Sequence, residues 1–137
     1  MIPQEIFFSH SSADRAFSDQ LASTLQRHGI PVWYSPTNVV GAQQWQDEIG
    51  SALKRCDWFV LILSENAVQS LWVKRELSYA LQQHRYVNRI TPVVLRTCDH
   101  EQLSWTLSAL QFVSFTNGFE LGCRDLLRVW GLGYKAT

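Results

Sequence analysis

Residues Trp58-Phe59-Val60-Leu61-Ile62-Leu63 form an unbroken apolar run, with no polar position that one side of a sheet could offer to water. A strand of this kind is covered on both faces, as a central strand of a parallel sheet is. Parallel neighbours cannot be joined by tight turns, so helical crossovers have to pack on the faces. The rest of the chain supplies that alternation. Glu5 to Ser9 reads as a first strand, and Phe17, Leu21, Ala22 and Leu25 repeat with helical period behind it. Gly29 is placed as a left-handed cap before a second strand, Ile30 to Tyr34, with Pro31 near its start. A turn-rich stretch from Ser35 to Gln44 precedes a helical stripe of Trp45, Ile49, Ala52 and Leu53.

After the central run, Ser70 is predicted to cap a helix whose stripe of Val73, Leu77, Ala80, Leu81 and His84 faces the sheet. Arg89 to Leu95 reads as a fourth strand, where Pro92 suggests a bulge or weak pairing. An irregular, short-helical connection from Thr97 to Leu110 leads to an alternating edge strand, Gln111 to Phe115. Leu121, Leu126, Leu127 and Trp130 make a last helix, ended by Gly131 and Gly133. Five strands alternating with helices imply an α/β sandwich around one mostly parallel sheet, and 137 residues suffice for one domain, residues 1–137.

Composition removes several classes of function. Twelve Lys plus Arg balance twelve Asp plus Glu, so the field expected of a nucleic-acid or anionic-membrane binder is absent, and self-association is favoured instead. No apolar run approaches the roughly 20 residues of a spanning helix. The start MIPQEIFF lacks a basic region and a cleavage site and reads as a mature cytosolic N-terminus. Cys56, Cys98 and Cys123 are widely spaced, without CxxC, which fits reduced core thiols and no metal site. His28 reads as a helix C-terminal cation, and His84 and His100 have no ligand-like partner. GxGxxG and GxxxxGK[ST] are both missing, and no GxSxG supports a His/Asp/Ser triad built from His10 and Asp14.

In an open sheet of order 2-1-3-4-5 a ligand crevice falls between the first and third strands, beyond their carboxyl ends. The residues delivered there are Ser9, His10, Ser11 and Ser12 on one side and Ser64, Glu65 and Asn66 on the other. Trp72 and Glu76, four apart on the following helix, set a ring beside a carboxylate. Such a pair can stack a flat base, bind ribose hydroxyls and stabilise positive charge at an anomeric carbon. The same spacing equally describes a half-buried tryptophan anchoring a helix and a solvated glutamate beside Arg75.

Ile6-Phe7-Phe8-Ser9-His10-Ser11-Ser12-Ala13-Asp14 resembles the first-strand box of Toll/interleukin-1 receptor/resistance (TIR) domains. Gly29-Ile30-Pro31-Val32-Trp33 with the loop through Gly41 resembles their second strand and BB loop. Ser64-Glu65-Asn66 with Ser70-Leu71-Trp72-Val73-Lys74-Arg75-Glu76-Leu77 resembles their S-x-N...S-x-W-[CV]-x-x-E-L segment. The resemblance runs through essentially the whole chain in the right order. It implies a flavodoxin-like three-layer sandwich and, for the branch with this glutamate, cleavage of the nicotinamide–ribose bond of NAD+, as substrate rather than cofactor. It makes Glu76 the catalytic residue and Trp72 a stacking residue, with Ser9, His10 and Ser11 lining the pocket, Trp33 on the nicotinamide side, and Gly41 and Trp45 in the loop that opens or closes it. Tyr34-Ser35-Pro36 replaces the acidic residue frequent after the second strand, so contacts from that region do not transfer.

The expected activity is an NAD+ glycohydrolase or ADP-ribosyl cyclase of bacterial antiphage signalling. It would assemble as a homo-oligomer through TIR–TIR contacts that include the Ser35–Gln44 loop, where Val39 and Val40 offer a contact surface, and a separate effector would sense the product. Two other readings stand beside it: a non-catalytic TIR interaction module, and a nucleoside deoxyribosyltransferase-like enzyme with Glu76 as nucleophile.

Overall fold

The computed structural model describes residues 1–35 and 46–136 in full and residues 42–45 by their backbone. The apolar run forms β3 (Trp58–Leu63), flanked by β1 (Ile6–Ser9) and β4 (Ile90–Val94). Two-residue strands β2 (Val32–Trp33) and β5 (Val113–Ser114) close the edges. All pairings are parallel and the order is β2-β1-β3-β4-β5, as predicted.

Period-two alternation divides the core into two layers. Ile6, Phe8, Val60, Ile62 and Val93 face one side, under α1 (Arg15–Arg27) and α5 (Phe119–Val129). Phe7, Phe59, Leu61 and Leu63 face the other, under α2 (Ala42–Arg55) and α4 (Leu71–Leu81). Each such side chain withdrawn from water contributes on the order of 1.5–3 kcal/mol. Both faces of β3 are thereby filled, which is why its sequence has no alternation.

Several boundaries differ from the sequence reading, each for a local reason. β2 begins only at Val32 because the Ile30 N–H is taken by the Leu25 carbonyl in the six-to-one bond that closes α1, with Gly29 at φ +85°, and Pro31 has no N–H to give. Pro92 causes no bulge: it stands in register with Leu61. Backbone groups alternate along β4, with the Leu95 N–H donating to Leu63 and the Val94 carbonyl accepting from Phe115, so the proline nitrogen faces the β5 side, where pairing starts only at Val93. α4 ends at Leu81, leaving Leu81 and His84 exposed, and His84 lies in a separate 3-10 turn. Leu121 of α5 is likewise exposed. The helix after β2 starts at Ala42, inside the stretch read as loop. A four-residue helix, α3 (Glu65–Val68), was too short to leave a period. His28 is tied at both ring nitrogens: Nδ1 donates to the Thr24 carbonyl and Nε2 accepts the Lys135 N–H. Among the described residues no helix is long and apolar enough to cross a membrane.

Candidate active site

The strand order puts the crevice where β1 and β3 end side by side; β1 ends in Ser9 and β3 is followed by Ser64, both withdrawn from solvent. Ser64 caps α3 by accepting the Ala67 N–H at 3.1 Å, and its hydroxyl donates to Asp14 Oδ2. Asn66 Nδ2 adds a bond to Asp14 Oδ1 at 3.4 Å. Asp14, buried at the end of the 3-10 turn Ser12–Asp14, therefore ties the loop after β1 to the loop after β3. This carboxylate is bonded to Ser64 and Asn66 and not to His10, so no His/Asp/Ser triad forms among the described residues.

Ser9 points the other way, into the layer under α4. Its hydroxyl donates to Glu76 Oε1 at 2.6 Å, joining residues 67 apart in sequence. α4 is started by Ser70, whose Oγ accepts the Val73 N–H, and it buries Val73, Glu76, Leu77 and Ala80 on one stripe. Glu76 thus sits within the sheet-facing stripe, 5% exposed, and not beside it as its spacing from Trp72 suggested. Burial pushes its carboxyl up to about 8, and the Ser9 hydrogen bond, which favours the charged form, works against that. Among the described residues no cation pairs with it, and Oε2 accepts no hydrogen bond.

Glu76 helps line a cleft of about 210 Å³ between α2 and α4, with Gln46, Ile49, Leu53, Lys54, Trp72, Arg75 and Tyr79 among its walls. The surface is chiefly apolar at Ile49, Leu53 and Trp72, with Arg75 over the Trp72 ring at 5.3 Å to its centroid. A larger concavity, about 550 Å³, lies at the opposite, amino-terminal end of the strands among Arg55, Asp57, His84, Arg85 and Arg89. Its guanidinium groups are already engaged, Arg55 with Glu5, Arg85 with the Cys56 carbonyl and Arg89 with Asp57. The smaller cleft is the better candidate because it joins an apolar wall to a buried acid.

The structure brings Ser9, Glu76 and Trp72 together and puts Trp33 in the same layer, stacked on Phe7 at 5.1 Å. Ser9 is 0% exposed, so it lies beneath Glu76 and not on the cleft wall. Ser11 caps the 3-10 turn by accepting the Ala13 N–H at 3.2 Å. His10 turns away, its ring edge against Tyr34 at 5.6 Å, and burial, with Arg15 nearby, lowers its pKa to about 4, so it is neutral at pH 7. Gly41, Val39 and Val40 lie outside the described residues, as does most of the Ser35–Gln44 segment, and Trp45 is described only by its backbone in α2. Sequence reasoning missed the α2 wall and the Ser9–Glu76 contact, since no local period connects β1 to α4. No group of three or more His, Cys, Asp or Glu that could hold a metal occurs among the described residues.

The TIR domain family model matches residues 6–127. Among curated proteins, the chain is 31% identical over 74 residues to the 2' cyclic ADP-D-ribose synthase AbTIR of Acinetobacter baumannii, a match covering 53% of this chain and 28% of that protein. It is 26% identical over 115 residues to the NAD(+) hydrolase PdTIR of Paracoccus denitrificans, covering 82% of this chain and 38% of that one. It spans well under half the length of either. Among solved structures, the TIR domain of the Toll-related receptor TRR-2 from Hydra magnipapillata superposes with a TM-score of 0.72 at 16% identity, covering 90% of this chain and 95% of that one. The TIR domains of the activated Roq1 resistosome, which recognises the effector XopQ, give 0.65 at 15% identity, covering 93% and 99%. Both likenesses are of fold.

Proposed function

From the premise that the chain belongs to the TIR domain family, with its flavodoxin-like sheet, we propose that it cleaves the nicotinamide–ribose bond of NAD+ with Glu76 as the catalytic residue. The observation that carries this reading is a single buried carboxyl, bonded to Ser9 through one oxygen, in the wall of a cleft that also presents an indole. The names of the bacterial relatives, a hydrolase of NAD(+) and a cyclic ADP-ribose synthase, point to the same substrate.

Nicotinamide in NAD+ is a cationic leaving group that departs as a neutral base, taking the electron pair of the C1′–N1 bond. No general acid is required. The positive charge moves from the pyridinium onto the ribose as an oxocarbenium-like state, and a carboxylate beside C1′ stabilises it more than the ground state. In the empty cleft burial holds Glu76 largely protonated at neutral pH. A cationic substrate brought alongside it favours the carboxylate, so binding prepares the anion that the transition state needs. Trp72 supplies a stacking face. Water attack at C1′ then gives ADP-ribose and releases one proton, whereas a ribose hydroxyl or adenine nitrogen of the same molecule gives a cyclic isomer.

The finer parts of the proposal are that residues 1–137 act as one cytoplasmic domain, that copies assemble through contacts including the Ser35–Gln44 segment, and that the product signals to a separate effector in antiphage defence. The test is to incubate concentrated protein with NAD+ and resolve nicotinamide and the ADP-ribose isomers by chromatography, beside Glu76→Gln. Turnover by the wild type and its loss in a folded Glu76→Gln are expected. Equal turnover by both removes Glu76 from the chemistry.

A further inference from the structure

We infer that Ser9 is a positioning residue for Glu76: from the end of β1 its hydroxyl holds one carboxyl oxygen beneath the cleft and leaves the other to the ligand. The inference rests on the reading of Glu76 above. It departs from a substrate-contacting role for Ser9 because the residue is 0% exposed and its hydroxyl proton is committed to Oε1 at 2.6 Å. A glutamate has three side-chain torsions, so a carboxylate on a helix would sample several orientations unless something outside the helix fixed it. Here β1, a central strand paired on both sides, provides that anchor.

The neighbouring strand repeats the device with another purpose. Ser64, at the end of β3, is equally buried and donates to Asp14, whose two oxygens are both occupied, by Ser64 and Asn66. Asp14 is a closed structural knot. Glu76 differs in having only Oε1 occupied among the described residues while contributing to a cleft wall. The charged or titratable groups around it are Lys54 from α2 and Arg75 and Tyr79 from its own helix, and none forms an ion pair or hydrogen bond with it. β1 presents only Ser9 and Phe7 to that layer. Among the described residues Ser9 is therefore the one group in contact that favours the ionised carboxyl, against the desolvation that opposes it.

The experiment follows the Glu76 carboxyl by carbon-detected NMR titration in the wild type, Ser9→Ala and Ser64→Ala, with steady-state NAD+ cleavage measured alongside. Loss of a hydrogen bond to a charged group is expected to raise the Glu76 midpoint by about one pH unit in Ser9→Ala. Ser64→Ala should leave it in place. Below the midpoint the carboxylate fraction of the free protein, and with it kcat/KM, falls about tenfold per unit, so kcat/KM at neutral pH should drop about tenfold in Ser9→Ala and the acid limb of its pH profile should move up by the same unit. Should Ser9→Ala fail to fold, Ser9→Cys, of similar shape and a weaker donor, should show a smaller shift of the same sign. A midpoint that Ser9 variants do not move, or an acid limb of kcat/KM that stays where it is in the wild type, overturns the inference. Absence of NAD+ cleavage by the wild type defeats the functional reading alone, since the titration still decides whether Ser9 governs Glu76.

Discussion

Replacing Glu76 by glutamine should change how the fold's stability depends on pH, in a direction opposite to that of most carboxylates. The folded carboxyl titrates near 8, against an ordinary value of 4.5. Between those values the folded protein keeps a proton that the unfolded chain has released. The stabilisation is therefore fully present below about pH 4.5 and drains away as pH rises towards 8. A gap of about 3.5 pH units corresponds to about 5 kcal/mol in all, of which about 2 to 3 kcal/mol falls between pH 5 and pH 7. Glutamine accepts the same Ser9 hydrogen bond and fills the same space without titrating, so the difference between the two proteins isolates this one group. His10, whose lowered pKa makes stability rise with pH between about 4 and 6.5, cancels in that difference. Urea unfolding of both proteins at pH 5, 6, 7 and 8 is the assay. Wild type should lose about 2 to 3 kcal/mol relative to Glu76→Gln between pH 5 and 7. Parallel stability curves would mean that the carboxyl ionises as in water, and the dry-site argument would be wrong.

Asp14→Ala strands the hydroxyl of Ser64 and the amide of Asn66, and by the cost of breaking a buried charged hydrogen-bond network it should lower unfolding stability by about 2–4 kcal/mol, read from urea midpoints. Gly122→Ala places a methyl carbon 2.3 Å from the Phe115 ring, so despite alanine's helix preference it should destabilise by about 1–3 kcal/mol, and Phe115→Leu in the same chain should recover part of the loss in thermal melts. Cys56 and Cys123 are fully buried, with thiols pushed up to about 12, while Cys98 is partly exposed. A disulfide-exchange reagent should therefore label one thiol per folded chain, lost in Cys98→Ser, and all three only in denaturant.

How far the site could be read in advance follows from the range of each signal. β3 is legible to its ends because burial on both faces writes itself as a continuous run. The Ser70 cap and the Gly29 turn are legible because their partners lie within five residues. Glu76 occupies the i+3 position of the stripe Val73, Leu77, Ala80, but a carboxylate is not expected inside a core, so the spacing pointed to the helix flank. What draws it inward is Ser9, 67 residues away on another element, a distance no periodicity reports. The edge strands are legible as five-residue patterns but pair over only two residues each, and a one-turn helix is below the length at which a period exists. The family resemblance supplied a role for Glu76, but its packing came only from the sheet.

A carboxyl held dry between helix and sheet sets natural selection against thermodynamics at one codon. Mutational drift at position 76 towards an uncharged isostere would be rewarded with a sturdier protein, so under the proposed function it is the chemistry that keeps the acid there. Lineages released from that demand should lose it early, and their descendants should melt at higher temperature than the acid-bearing proteins they came from.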